Sequence, residues 1–389
     1  MLIYLDNCAT TKPRKEVIDL MCQALENDFA NPSSLHTFGQ SVENKVDKAR
    51  EVLSKLLNIN SDNLYFTSGG TESNNIALNG FINKNKHLGN EIITTPIEHS
   101  SVIEKLKSYE KQGFKIITCK VDKNGNIDLD DLYSKINENT ILISLIHVNN
   151  ELGTIAPVKE IIKKAKSINK NILVHVDGVQ SCGKISVDLK DINCDSYSMS
   201  GHKIYGPKGI GALYLKEGLV IDSLTKGGGQ EKNLRSGTEN VPAIIGLGKA
   251  AELMDKNFAK EQEHSKMIKE YLKEKISQNI DDFIINTPEN SSNYVLSISF
   301  KSIRGEVLLH YLEQDDIYIS TASACSSNGT DKNRVLDAIN IDKAYEDGTI
   351  RICTSYETSK DDIDKFVEKL KIYVEEIRSI MGWSIEEDY

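Results

Sequence analysis

Several features that would assign a class of protein are missing from this sequence. Its 389 residues contain no apolar run near the ~20 residues that a membrane-spanning helix needs. The chain begins Met1-Leu2-Ile3-Tyr4-Leu5-Asp6, which resembles a strand, with no basic and apolar leader before it. We therefore predict no secretory or transit peptide, no membrane partner and a cytoplasmic location.

An excess of basic residues is also missing. The formal net charge is −10 and the pI is about 5.4. Nucleic-acid binders carry a clustered basic surface, and this chain balances its lysines with acidic residues. We expect no direct contact with nucleic acid.

Paired cysteine motifs are absent as well. The seven cysteines are scattered along the chain and no C-x-x-C occurs, so we expect neither a bound metal nor a disulfide framework. A reducing compartment fits, with most cysteines acting as small buried hydrophobic residues. Cys325 is the exception, because small polar residues and a glycine surround it from Ser320 to Thr330. That composition is typical of a mobile surface loop, where a thiol has no packing role.

What the sequence does contain is an alternation of apolar runs and helical patterns over its first two-thirds. This alternation predicts an α/β fold with a mostly parallel central sheet and helices on both faces. The predicted strands of this part are Asn63–Thr67, Glu91–Thr95, Phe114–Thr118, Ile141–Val148, Ile172–Asp177 and Gly211–Leu215.

The pattern changes near residue 250. A long charged helix is predicted from Ala250 to Ser277, followed by short strands and helices and by a last helix with Ser359 as its N-cap. We expect a large domain at residues 14–255 and a smaller α+β domain at residues 1–13 with 256–389. The smaller domain carries the Cys325 loop, at about residues 320–333.

Ligands of such sheets gather beyond the carboxyl ends of the strands, so the residues after each strand are the candidates for a site. After the first strand, Gly69, Gly70 and Thr71 lead into a helix whose first amides can bind a phosphate, with Thr71 as its cap. The Lys-Ser/Thr ending of a nucleoside triphosphate loop is missing. His99 follows a later strand and could stack on a planar ring or transfer protons, and Asn150 follows another, where its amide could hydrogen-bond a ring oxygen. By themselves these motifs also fit ordinary turns and loops, and a capped turn is the simpler interpretation of residues 69–71.

Asp177 and Lys203 are more informative. An Asp at the end of an apolar strand is costly unless it is paired, and a pyridinium nitrogen is a fitting partner. Lys203 lies in Ser200-Gly201-His202-Lys203, after the next strand, and can form a Schiff base with an aldehyde cofactor. Alone it could be a surface lysine beside a turn. Together with Asp177 it indicates a pyridoxal phosphate (PLP) enzyme, and Lys208, beyond Pro207, is not the Schiff-base lysine.

Longer motifs resemble those of the cysteine desulfurases of the NifS/IscS type, PLP enzymes of the class V aminotransferase group. The matching stretches run in order along essentially the whole chain, as far as Arg351. They are residues 4–11, 31–34, 66–74, 147–151, 176–181, 200–209, 227–231 and 235–238.

The resemblance implies PLP fold type I and a role for each candidate residue. Lys203 would carry the cofactor, Asp177 would bind its ring nitrogen, Gln180 its ring hydroxyl, and His99 would stack on the ring and transfer protons. The phosphate would be held by Gly70, Thr71, Ser200 and His202, and by Thr238 from the other subunit of a homodimer. Asn150 and Arg351 would bind the substrate carboxylate. The role of Arg351 also has support apart from the resemblance, because a guanidinium can bind a carboxylate through two hydrogen bonds.

In this family the residue that matches Cys325 takes sulfur from L-cysteine, leaving L-alanine, and delivers it as a persulfide. The implied partners are sulfur acceptors: an iron–sulfur scaffold, a tRNA-thiolation protein or a thiamin-pathway protein. Three alternatives remain open: a selenocysteine lyase, an aminotransferase of the same fold, and a non-catalytic sulfur carrier or assembly platform. Two positions depart from the expected pattern, Cys8 in place of another small or polar residue and Ala322 in place of Gly.

Overall fold

The computed structural model describes residues 2–321 and 333–380. The strands are β1 Ile3–Tyr4, β2 Leu64–Thr67, β3 Glu91–Thr94, β4 Lys115–Thr118, β5 Thr140–Ile146, β6 Leu173–Asp177, β7 Ser196–Ser200, β8 Gly211–Leu215, β9 Phe283–Ile285, β10 Val295–Phe300, β11 Ile317–Tyr318, β12 Ser320–Thr321 and β13 Thr349–Cys353. The helices are α1 Lys15–Asn27, α2 Thr37–Leu56, α3 Gly70–Asn85, α4 Ser100–Glu110, α5 Leu129–Ser134, α6 Val158–Ile168, α7 Leu189–Ile192, α8 Val241–Asn279, α9 Gly305–Glu313, α10 Arg334–Ala338, α11 Lys343–Glu346 and α12 Lys360–Ile380.

Within the described residues, the larger sheet has seven strands in the order β2-β8-β7-β6-β5-β3-β4. Strands β4, β3, β5, β6 and β7 run parallel, and β8 is antiparallel to both β7 and β2. Every residue of β5 is buried, as a strand covered by helices on both faces requires. The predicted α/β fold with a mostly parallel sheet is therefore confirmed.

A second sheet lies in the C-terminal part, with strand order β12-β13-β10-β9. It packs with α9 and α12 around its own hydrophobic core, in which Ile363, Phe366 and Leu370 of α12 are fully buried. The N-terminal strand β1 pairs with β11, and Leu5 belongs to the same core. Ser359 caps α12 as predicted, its Oγ accepting the Asp362 amide at 3.1 Å.

Helix α8 joins the two parts. It begins at Val241 rather than near residue 250, after Asn240, whose side chain accepts the Ala243 amide. Its N-terminal half packs against α1 and α2, while its C-terminal half contacts α12. Because α8 runs without interruption across residue 255, the domain boundary placed there remains a prediction.

One local expectation, the absence of disulfides, is wrong, and one strand was missed. The side chains of Cys8 and Cys353 form a disulfide with Cα atoms 5.6 Å apart, which no sequence spacing indicates because 345 positions separate them. Cys22 is exposed, whereas Cys119, Cys182 and Cys194 are buried as expected. Strand β9, which pairs with β10, was not predicted.

Within residues 2–321 and 333–380, no helix combines the length and the apolar character that spanning a membrane requires. Across the same two ranges, no group of three or more His, Cys, Asp and Glu side chains is placed to hold a metal ion.

Candidate active site

A cavity of about 440 Å³ lies at the carboxyl ends of the parallel strands, bounded on its other side by the N-terminal segment and β13. Nearly all the residues predicted to form a site line it. They are Gly70, Thr71, His99, Asn150, Asp177, Gln180, Ser200, His202, Lys203 and Arg351. The strand-end rule therefore located the cavity, and residues distant in sequence meet there.

Lys203 ends a short 3-10 turn, Gly201–Lys203, that directly follows β7. Its side chain is half-buried in the cavity rather than on the surface, and its Nζ donates to the backbone oxygens of Cys8 at 2.5 Å and Ala9 at 2.7 Å. Lys208, in contrast, is exposed. The amine is thus held at the cavity wall by carbonyl groups, which offer hydrogen bonds but no charge.

Asp177 ends β6 with only 2% of its surface exposed. Both carboxylate oxygens accept hydrogen bonds, Oδ1 from the Val179 amide at 3.0 Å and Oδ2 from Asn74 Nδ2 at 2.7 Å. The buried acid is paired, as burial demands. It remains among the residues that line the cavity, so a cationic ring nitrogen could reach it.

His99 caps the N-terminus of α4. Its Nδ1 accepts the Ser101 amide at 3.2 Å and lies 2.8 Å from Ser101 Oγ. Burial lowers the pKa of His99, and the charges of Lys203 and Arg334 lower it further against the opposing effect of Asp177. The ring is therefore neutral at physiological pH.

The start of α3 forms an anion cradle. Gly69 adopts φ +152°, a conformation that favours glycine, and a Cβ on Gly70 would lie 2.5 Å from Val179 Cγ2. The helix begins at Gly70, so Thr71 lies in its first turn. The prediction that Thr71 is the N-cap is therefore wrong. A second cavity of about 380 Å³ opens here and shares Gly70, Thr71, Ser200 and His202 with the first.

His202 and Lys208 flank this cradle. Burial, together with the charges of Lys203, Lys208 and Lys184, lowers the pKa of His202 to about 4. A neutral His202 can donate a hydrogen bond to an anion but contributes no positive charge. The positive charge at this end of the cavity comes from lysine side chains and from the helix N-terminus.

Arg351 lies at the middle of β13 and is 7% exposed. Its Nη2 donates to Asp6 Oδ1 at 2.8 Å and its Nη1 to the Asn150 backbone oxygen at 3.1 Å. Its Nε is buried and has no hydrogen-bond partner among the described residues. The guanidinium is thus held at two nitrogens, and each of these nitrogens keeps a second hydrogen that a ligand in the cavity could accept.

Gln180 presents its amide between two partners. Its Nε2 donates to the Cys8 backbone oxygen at 2.8 Å, and its Oε1 accepts from Lys184 Nζ at 3.0 Å. Lys184 is fully buried, and burial together with Lys203 and Arg351 lowers its pKa to about 7. The lysine fixes which end of the Gln180 amide faces the N-terminal segment.

One predicted residue, Thr238, does not line the cavity. Thr238 is exposed and lines a separate cavity with Gly209, Arg235 and Glu239. Cys325 lies outside the described residues.

Sequence reasoning missed three residues of the site: Asn74, Asp6 and Lys184. Asn74 and Asp6 fall inside motifs that carried the family resemblance, but nothing in those motifs indicates which side chains they contact. Lys184 follows Gln180 by four positions, one helical turn, which is the one signal that could have linked the pair.

Comparisons with known proteins agree with this geometry. Residues 3–366 match the model of the family described as aminotransferase class-V. A protein named cysteine desulfurase IscS from Dictyoglomus turgidum is 41% identical over 385 residues, 99% of this chain and 97% of that protein.

Solved structures are also similar. One titled NIFS-like protein has a TM-score of 0.91 at 36% identity, covering 96% of this chain and all of that one. Another, titled SspA in complex with cysteine, has a TM-score of 0.82 at 32% identity over 92% of this chain and all of that one.

Proposed function

Because the chain belongs to the class-V aminotransferase family, in its NifS/IscS branch of cysteine desulfurases, we propose that it is a PLP-dependent cysteine desulfurase. It converts L-cysteine to L-alanine and leaves the sulfur as a persulfide on Cys325. The observation that carries the proposal is the single cavity into which Lys203, Asp177 and Arg351 converge. An amine, a carboxylate and a guanidinium together suit an aldehyde cofactor and an amino-acid substrate.

The described residues fit PLP. A cavity opens at the first turn of α3, whose amides have no partners within the helix and could bind a phosphate. Asp177 would bind the ring nitrogen, Gln180 the ring hydroxyl and Lys203 the aldehyde, while Ser200 and His202 would join the phosphate contacts. When bound, the ring acts as an electron sink for the bonds of the substrate α-carbon.

The chain's own residues would bind and orient the substrate. Arg351, which lines the cavity, would bind the carboxylate of L-cysteine with the help of Asn150, through Nη hydrogens that Asp6 and the Asn150 oxygen leave unused. His99, neutral and held by Ser101, would lie on the ring face and take part in proton transfer. Lys203 would hold the cofactor aldehyde, and its Nζ would move protons at the substrate α-carbon.

The overall reaction balances without an external oxidant or reductant. The Cys325 thiolate attacks the substrate sulfur, the carbon–sulfur bond of L-cysteine breaks, and a sulfur–sulfur bond forms on the enzyme. The carbon keeps the bonding pair and takes a proton, which gives L-alanine. This step requires that the Cys325 side chain is a thiolate and is partly exposed.

Two further parts of the proposal concern assembly. Thr238 lies outside the cavity of its own chain and is exposed, which supports a homodimer in which it reaches the phosphate of the other subunit. The sulfur acceptor would be a protein, either an iron–sulfur scaffold or a thiolation enzyme, and the cytoplasm is the expected location.

The decisive experiment gives the purified protein L-cysteine and a reductant, and follows alanine and sulfide together. Equal amounts of both products, with a visible band of bound PLP, are expected. A Cys325→Ser variant should bind PLP and lose sulfide release. Alanine without sulfide, or neither product despite bound PLP, would contradict the proposal.

Three outcomes would favour the alternatives. Turnover restricted to selenocysteine would indicate a lyase for that substrate. Full turnover of Cys325→Ala on another amino acid would indicate an aminotransferase. A protein with no PLP band at all would indicate a carrier or assembly platform.

A further inference from the structure

One wall of the cavity is formed by a buried polar cluster centred on Asn74 of α3, which is 1% exposed. The Asn74 Nδ2 group donates to Asp177 Oδ2 at 2.7 Å and to Ser101 Oγ at 2.8 Å. Its Oδ1 lies 3.0 Å from His175 Nε2. Both amide hydrogens and the amide oxygen are therefore used, by groups on β6 and α4.

The chemistry of these partners fixes the direction of the amide. A carboxylate oxygen accepts hydrogen bonds, so the NH₂ end of Asn74 faces Asp177 and its oxygen faces His175. His175 Nε2 must then carry the hydrogen, and its Nδ1 accepts from Ser196 Oγ at 2.8 Å. Burial lowers the pKa of His175 to about 4, so this neutral tautomer persists at physiological pH.

The same logic extends to His99. Since Ser101 Oγ accepts from Asn74, its own hydrogen is directed to His99 Nδ1, which also accepts the Ser101 amide. With two donors at Nδ1, the neutral ring of His99 carries its hydrogen at Nε2. One amide thus connects the carboxylate at the end of β6 with the imidazole that caps α4.

We propose that Asn74 is a positioning residue: its side-chain amide holds Asp177 and His99 in one fixed arrangement, and His175 sets the direction of that amide. The proposal rests on the proposed function insofar as Asp177 would bind the nitrogen, and His99 the face, of the same PLP ring. Asn74 lines the cavity beside them, and its proposed effect is exerted through its three hydrogen-bond partners. Its effect is to fix the position of the carboxylate and the imidazole tautomer before a ligand arrives.

The test replaces Asn74 with Leu, which has nearly the same shape and no hydrogen bonds. Its control is Asn75→Ala, because Asn75 is the next residue of α3 and, within the described ranges, its Nδ2 bonds only the Thr71 oxygen of its own helix, at 2.9 Å. Unfolding midpoints show whether both variants fold. ¹⁵N-histidine NMR of the protein as purified then reports the tautomers, with His99 and His175 assigned from His99→Gln and His175→Gln.

In wild type and Asn75→Ala, His99 and His175 should each have an unprotonated Nδ1 and a protonated Nε2 between pH 6 and 8. In Asn74→Leu the His99 and His175 signals should shift toward a mixture of tautomers. Loss of bound PLP on dilution should be at least about tenfold faster than in the control, and the pH at which the visible band titrates should move.

Unchanged His99 signals and unchanged PLP retention in a folded Asn74→Leu would overturn the proposal. If Asn74→Leu does not fold, Ser101→Ala tests the connection between Asn74 and His99 instead. This variant should alter the His99 signals and leave those of His175 at wild-type positions. A wild-type protein without PLP would refute the proposed function, while the histidine signals would still decide whether Asn74 positions its neighbours.

Discussion

The guanidinium of Arg351 lies against the carboxylate of Asp6, with 2.8 Å between Nη2 and Oδ1, at the place where a substrate carboxylate is proposed to bind. Asp6 is a residue of the cavity wall, and β13 carries Arg351 to it across 345 positions of sequence. The side chain that would bind the substrate therefore already has an anionic partner. An incoming carboxylate meets both the positive charge of Arg351 and the negative charge of Asp6.

We predict that Asp6→Asn lowers the KM for L-cysteine by about three- to tenfold with little change in kcat, because a negative charge a few ångströms from the bound carboxylate is removed. Arg351 keeps its bond to the Asn150 oxygen, so its position is retained. Steady-state alanine formation measures both constants.

The control is Asp19→Asn, which removes an exposed carboxylate of α1 that pairs only with Lys15 among the ion pairs of the described residues. It should leave KM at the wild-type value. A raised KM in Asp6→Asn would show instead that Asp6 is needed to orient Arg351.

Gly70→Ala should reduce PLP retention by at least about tenfold, because the new Cβ would meet Val179 Cγ2 at 2.5 Å and push the start of α3 away from the cavity. The band of bound PLP after dialysis measures the loss. The double variant Gly70→Ala with Val179→Ala removes the clashing methyl group and should recover much of the retention. Equal loss in the single and double variants would contradict a steric cause.

Glu98 predicts a pH dependence of stability. Burial raises its pKa to about 8, against the opposing bonds from Thr95 and the Ile146 amide, so the folded protein holds a proton that the unfolded chain releases near the ordinary value of 4.5. The contribution of Glu98 to the free energy of unfolding is therefore fully present below pH 4.5 and is lost as pH rises through about 8.

Glu98→Gln keeps an oxygen for both bonds and cannot ionise. The free energy of unfolding of the variant, relative to wild type, should therefore rise by on the order of 3 kcal/mol between pH 4.5 and 8. Urea unfolding at a series of pH values measures the difference. A constant difference across this range would show that Glu98 is ionised in the folded protein.

The Cys8–Cys353 disulfide should stabilise the folded protein, because it closes a loop of 345 positions between the N-terminal segment and β13. Reduction should lower the free energy of unfolding by on the order of 2–4 kcal/mol. Cys8→Ala should lower it to a similar extent and make it insensitive to reductant. Cys22→Ala, at an exposed cysteine, should behave as wild type.

A count of titratable thiols checks the bond itself. The reduced, unfolded protein should expose two more thiols than the unreduced one. Equal counts would show that the two sulfurs remain thiols in the purified protein.

The sequence by itself determined the fold class and most of the site. The alternation of apolar strands and helices implied a parallel sheet, and a parallel sheet places its strand ends on one edge. Asp177 and Lys203 could therefore be paired from their order alone, because each follows a strand and the strands are neighbours. The buried face of α12 could also be read from its spacing, since helical periodicity is a local property.

Only the tertiary structure decided which side chains contact one another across distant segments. The Arg351–Asp6 pair, the Cys8–Cys353 disulfide and the three bonds of Asn74 each join elements that packing brings together. The spacing of residues in the sequence does not indicate which distant segments pack together. The hydrogen-bond partners of a buried amide therefore depend on the tertiary structure. The residue types set what chemistry the chain can perform, while the three-dimensional contacts set the protonation, tautomer and orientation in which each group can perform it.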